Sequence, residues 1–119
     1  MARVALLCPD LLFGSKLEGG LRAAGHVVKR YDTADAARAA APGAELLVVD
    51  LTDDRYDGAA LVQAMRMDSE LDDVPVLGFY SHVDNDTRVR AEEAGFDRVV
   101  PRSRMAREMA TLVEGMLRP

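Results

Sequence analysis

Leu46-Leu47-Val48-Val49-Asp50, with Asp57-Gly58 a short way downstream, is the stretch that decides how this chain reads. An unbroken apolar run of this length describes a strand buried on both faces. The aspartate that ends it sets one carboxylate at the mouth of a sheet. In open α/β folds that mouth, the carboxyl edge of the parallel strands, is where ligands and chemistry gather. Asp50 is therefore the first candidate functional residue.

Outward from this strand the same rhythm repeats in both directions. Val4 to Leu7 predicts a first strand, and the stretch after Asp10 a helix, because Phe13, Leu17, Leu21 and Ala24 share one face before Gly25. His26 to Arg30 predicts a second strand and Thr33 to Ala41 an alanine-rich helix ended by Pro42-Gly43. Glu45 to Val49 is the third strand, followed by a helix over Ala59 to Met67, and Val76 to Tyr80 is the fourth. Asn85 to Ala94 is a helix stopped by Gly95, and Arg98 to Val100 is the fifth strand. Met105, Met109, Leu112 and Met116 then lie along one face of a last helix. Strands alternating with helices imply a parallel sheet with helices on both faces, joined by right-handed crossovers.

Composition sets bounds on function. With 119 residues, 49% hydrophobic and 29% charged, the chain is expected to form a single domain spanning 1–119, large enough for a core without staples. A net charge of −5 opposes direct binding of nucleic acid or of an anionic membrane surface. No apolar run approaches the ~20 residues of a membrane span, and the first residues lack a signal-peptide pattern. Cys8 is the only cysteine, which suits a reducing compartment, so a cytoplasmic location is expected.

The five alternations, with an aspartate closing the third strand, resemble the receiver domain of bacterial two-component response regulators. The most specific piece is Asp50-Leu-Thr-Asp-Asp-Arg-Tyr-Asp57-Gly58, which is similar in spacing to the family's phosphoacceptor and the Asp-Gly that opens the next helix. Pro75-Val-Leu-Gly-Phe-Tyr and Ala94-Gly95-Phe-Asp97 keep the same register, so the resemblance covers essentially the whole chain. It implies a flavodoxin-like three-layer sandwich, with a five-stranded parallel sheet in the order 2-1-3-4-5 and five helices.

The resemblance also implies a site, and here the chain departs from the pattern. Receivers hold Mg²⁺ on an acidic pair after the first strand; this chain has Cys8 and Pro9, neither an oxygen donor suited to that hard ion. Asp10 is the nearby carboxylate, readable as a metal ligand or as the N-cap of the following helix, the latter favoured. Where receivers carry a small hydroxyl residue after the fourth strand, the register gives Tyr80, with Ser81 next to it as either a substitute or the start of a loop. His82 follows, a proton carrier or anion contact if it faces the mouth and a solvated loop residue otherwise. Arg102 and Ser103 replace the family's Lys-Pro, so the cation is kept as a planar fork able to grip a carboxylate in bidentate fashion. A permanent Asp50–Arg102 salt bridge, standing in for Mg²⁺, is the expectation that follows. Without a proline after Arg102 the family's cis bond is not expected there. The aromatic position of the fifth strand is Val99, so the hydroxyl and aromatic switch pair is missing in both members.

Two smaller constellations stand beside these. Cys8, His82 and Asp50 make a thiol catalyst only if the thiol is reactive, and a packing cysteine is the simpler reading. Arg102, Ser103, Arg104 and Arg107 describe either an anion site at a helix start or a solvated basic face.

Altered at several positions together, the site favours a stand-alone, non-enzymatic protein interaction module in signal transduction that works without phosphorylation, a pseudo-receiver. The alternative is a working receiver, phosphorylated on Asp50 with Mg²⁺ held by Asp10 and Asp50 and the phosphoryl group met by Arg102, Ser81 or Tyr80. A flavodoxin-like small-molecule binder is the minor alternative. In either leading case Mg²⁺ binding is expected to be weak or absent without the acidic pair. The partner is expected to be a histidine kinase or a downstream regulator, with a possible homodimer through the fourth and fifth helices. With Pro119 directly after the last helix, no output domain is expected.

Overall fold

Each apolar run read as a strand is a strand in the computed structural model, which describes residues 1–117. The order is β1 (Arg3–Leu7), α1 (Leu11–Ala23), β2 (Val27–Tyr31), α2 (Ala34–Ala40), β3 (Leu46–Asp50), α3 (Gly58–Met67), β4 (Val76–Tyr80), α4 (Asn85–Ala94), β5 (Arg98–Pro101) and α5 (Arg102–Met116). A 3₁₀ turn, Ala41–Gly43, follows α2. All strands are parallel and the sheet order is β2-β1-β3-β4-β5, as expected.

Boundaries shift for local reasons. The second strand begins at Val27 rather than His26, because the Val27 amide is the first to find a carbonyl beside β1, that of Ala2, at 2.9 Å. Asp50 belongs to β3 itself, since Phe79 stands opposite it in β4. The second helix stops one residue early and tightens to a 3₁₀ turn at Pro42, whose nitrogen has no hydrogen to continue the helical ladder.

Side chains at alternate strand positions build two cores. On one face Val4, Leu6, Val28, Leu46, Val48, Leu77 and Phe79 meet Phe13, Leu17 and Leu21 of α1 and Met105, Leu112 and Val113 of α5. On the other, Ala5, Leu7, Leu47, Val49 and Val76 meet Ala37 of α2, Val62 and Met65 of α3, and Ala91 and Ala94 of α4. The predicted methionine face of α5 splits: Met105 is buried, whereas Met109 and Met116 pack only partly. The backbone of α5 leaves the helical range at Glu108 (φ −122°, ψ 21°).

Helix starts follow the sequence closely. Asp10, Thr33, Asp57 and Asp84 each accept a backbone N–H three residues on, satisfying a donor that the helix leaves orphaned. Gly95 closes α4 at φ 107°, a left-handed conformation that a side chain disfavours. Asp97, just beyond, accepts from the Val76 amide at 2.7 Å and pairs with Arg66 at 2.9 Å, pinning the start of β4 to α3. Among the described residues no helix is long and apolar enough to cross a membrane.

Candidate functional site

Parallel strands in this order bring the ends of β1, β3, β4 and β5 to one edge, where the loops after them gather Cys8, Asp10, Asp50, Thr52, Ser81, His82 and Arg102. Asp50 lies at the bottom. It is only 1% exposed, and strand alternation turns its side chain to the face covered by α1 and α5, the face that Leu46 and Val48 of the same strand also line.

A buried carboxylate needs donors or a cation. Asp50 takes donors. Its Oδ1 accepts from the Thr52 amide at 2.8 Å and from the Thr52 hydroxyl at 2.6 Å, and its Oδ2 accepts from the Cys8 thiol at 3.5 Å. The Tyr56 hydroxyl donates to the Asp50 backbone carbonyl and closes the loop above β3. Burial, and then the Asp50 charge, raise the Tyr56 phenol well above its ordinary range.

Cys8 therefore occupies one position of the receiver acidic pair as a hydrogen-bond donor. Burial in the first place, and the adjoining Asp50 charge in the second, push its thiol up to about 12. A fully buried thiol held this far above neutrality stays protonated, which removes the thiolate that a Cys8, His82 and Asp50 catalyst requires. His82 is exposed on the loop after β4.

Arg102 does not form the expected pair with Asp50. Its guanidinium lies 4.1 Å above the ring of Phe13 and donates to Asp10 Oδ2 at 3.3 Å. Asp10 faces outward because its other oxygen caps α1, accepting from the Phe13 amide at 2.9 Å. That amide, and then the Arg102 charge, hold the Asp10 carboxyl below its usual range. The cap thus turns Asp10 away from Asp50, and Arg102 follows Asp10. Phe13 in turn packs on Phe79, with ring centroids 5.2 Å apart, so a stack of Arg102, Phe13 and Phe79 joins the loops after β1 and β5. No cis peptide bond occurs among the described residues.

Beside the buried aspartate an open cleft of about 360 Å³ is lined by Phe13, Thr52, Ser81, His82, Arg102 and Ser103. Asp50 is not in its wall; Thr52 stands between them. Ser81 opens a turn, its carbonyl accepting from the Asp84 amide at 2.8 Å. Tyr80, at the hydroxyl position, is buried at the end of β4 opposite Pro101 and lines no part of the cleft. The other two basic residues of early α5 are engaged within the helix, where Arg104 and Arg107 reach Glu108 at 3.5 and 3.6 Å.

Mg²⁺ does not fit this donor set. The ion demands near-octahedral oxygen ligation, whereas here a thiol and a proline replace two carboxylates, Asp10 is committed to α1 and Arg102, and Asp50 Oδ1 already takes two hydrogen bonds. Among the described residues no group of three or more His, Cys, Asp or Glu side chains is arranged to hold a metal ion. Thr52 escaped the sequence reading, although its signal was present. An aspartate that accepts from the amide two residues on makes an Asx turn, and a threonine there supplies a second donor.

No protein-family model matches the chain, and no curated protein matches it. Solved structures do. The chemotaxis response regulator CheY4 of Vibrio cholerae superposes with a TM-score of 0.85 at 18% identity, covering 98% of this chain and 99% of that one. The receiver domain of the TMAO respiratory system response regulator TorR gives 0.84 at 17% identity, covering 97% and 95%. The receiver domain of Francisella response regulator 1452 gives 0.82 at 14% identity, covering 96% and 94%. At these identities the likeness shows the fold: the chain folds as response-regulator receiver domains do.

Proposed function

We propose that this receiver-fold chain is a non-catalytic protein interaction module in signal transduction that works without phosphorylation of Asp50. One observation carries the reading. The position of the phosphoacceptor holds an aspartate that is 1% exposed and takes three protein donors, two from Thr52 and one from Cys8. A phosphoacceptor needs an open oxygen, a divalent ion against the incoming phosphoryl group and a cation beyond it. Here Oδ1 is occupied by two donors and Oδ2 faces the Cys8 thiol, the metal ligands are replaced, and Arg102 is clamped between Asp10 and Phe13. Catalysis by positioning and charge has nothing left to position.

Such a module acts by presenting a surface. In this reading its partner is a histidine kinase or a downstream regulator, and the face formed by α4 and α5 carries the contact, with a homodimer as the form available without a partner. The fold of the neighbouring structures supports a signalling role, and the net charge of −5 argues against direct contact with nucleic acid.

A working receiver is the second reading, favoured by the open cleft beside Asp50, which is large enough for a phosphoryl group and would admit one to Asp50 if Thr52 swung aside. Incubation with acetyl phosphate and Mg²⁺, followed by intact-mass measurement, separates the two. The expected result is an unchanged mass. Stoichiometric phosphoryl labelling lost in Asp50→Asn would replace the first reading with the second.

A further inference from the structure

Away from Asp50, on the α2 face of the sheet, the fold leaves a groove of about 320 Å³ open between β1, β2 and the end of α2. Its cause is in the sequence. α2 has 7 residues, mostly alanine, and the small residues that line the groove at its end and beyond, Ala40, Gly43 and Ala44, leave the space beside the strands unfilled. Val27 is left 47% exposed in the wall, with Ala5 and Tyr31 beside it. The lining is mainly apolar, with cations at its rim.

The cations are ordered by strand register. Arg3 stands beside Val27 and Lys29 beside Ala5, so each charge borders an apolar side chain on the same face. Lys29 is exposed and makes no ion pair among the described residues. Arg3 is already engaged: Glu45 Oε1 accepts from its guanidinium at 3.2 Å and from its amide at 3.1 Å, and its Nε donates to the Gly43 carbonyl at 3.4 Å, all at exposed positions where an incoming carboxylate competes with Glu45 for the charge. An unpaired lysine beside an apolar groove, with Arg3 next to it behind the displaceable Glu45, favours locally an anion with a short hydrocarbon body. An added peptide strand is disfavoured: at the open edge of β2 the Val28 carbonyl already accepts from Arg22 at 3.0 Å, and Lys29 and Arg30 charge the strand.

We propose that this groove binds a short aliphatic carboxylate, its head between Arg3 and Lys29 and its chain along Val27, Ala5, Ala40 and Ala44. The site is independent of the reading of Asp50. Its volume sits at the low end of ligand pockets, which suits a chain of up to about eight carbons better than a drug-sized molecule.

Titration of the ¹⁵N-labelled protein with octanoate below its micelle concentration, followed by amide NMR, tests it. Saturable shifts confined to Val27, Lys29, Tyr31, Ala40 and Ala44 are expected, with no equivalent shifts from octylammonium. Lys29→Glu should weaken binding by about tenfold or more, the loss of a charge-assisted contact and its reversal. Val27→Asp should abolish it, because this half-exposed wall position tolerates a polar side chain without opening the core, and its carboxylate repels that of the ligand. Equal binding of octylammonium, unsaturable shifts spread over the surface, or full affinity in Lys29→Glu would overturn the proposal. So would concentration-dependent shifts of the same amides without ligand, which would assign the groove to a second copy of the chain.

Discussion

At the scale of the residue, the site turns on which neighbour answers a buried carboxylate. Thr52 answers with two donors on one oxygen, whereas Arg102 spends its charge on Asp10 at a half-exposed position. The two substitutions should therefore separate sharply. Thr52→Val keeps the amide bond and removes the hydroxyl from a buried acceptor, a loss of about 1–3 kcal/mol. Arg102→Ala opens an exposed pair and should cost clearly less. Urea unfolding of the two variants gives the ranking. If Arg102→Ala proves the more damaging, Asp50 depends on the guanidinium after all. The expected Asp50–Arg102 bridge failed for a local reason: an aspartate just before a helix is drawn to the orphan amides at its start, and Arg102 found that carboxylate first.

At the scale of the element, α1 to α4 owe their starts to side-chain caps and their middles to packing, and two glycines show how differently a helix interior and a helix end respond to a side chain. Gly19 lies within α1 with open space where a Cβ would project, so Gly19→Ala should stabilise the protein by about 0.5–1 kcal/mol through helix propensity alone. Gly95 sits at φ 107° with Arg66 against the position of a Cβ, so Gly95→Ala should cost about 1–2 kcal/mol from the left-handed backbone. Thermal or chemical denaturation of both variants checks the opposite signs. A stabilising Gly95→Ala would mean that α4 can end in another conformation.

At the scale of the whole molecule, the sheet delivers the ends of β1 and β3 to one point, and the identity of Cys8 decides what can bind there. In the native chain, millimolar Mg²⁺ should leave the melting temperature unchanged, since a ligand well below its Kd adds almost nothing to stability. Cys8→Asp should reverse this. It sets a second carboxylate against buried Asp50, lowering the melting temperature in chelator through like-charge repulsion, and Mg²⁺ should restore a saturable part of the loss. Scanning calorimetry with and without the ion reads both. Saturable stabilisation of the native chain by Mg²⁺, lost in Asp50→Ala, would show that the thiol does not close the metal site.

The sequence by itself determined the alternation of strands and helices, the cap at Asp10, and the delivery of Asp50 and Arg102 to one edge. These follow from short-range rules: apolar periodicity marks strands, an aspartate just before a helical pattern marks its start, and parallel strands share their carboxyl ends. Only the tertiary structure decided which side chain meets Asp50. That choice depends on distances of a few ångströms between the loops after β1, β3 and β5. It also depends on the competition of Asp10 for Arg102 and on the burial that keeps Cys8 protonated. No pattern along the chain encodes such distances, because they arise only when strands far apart in sequence lie side by side.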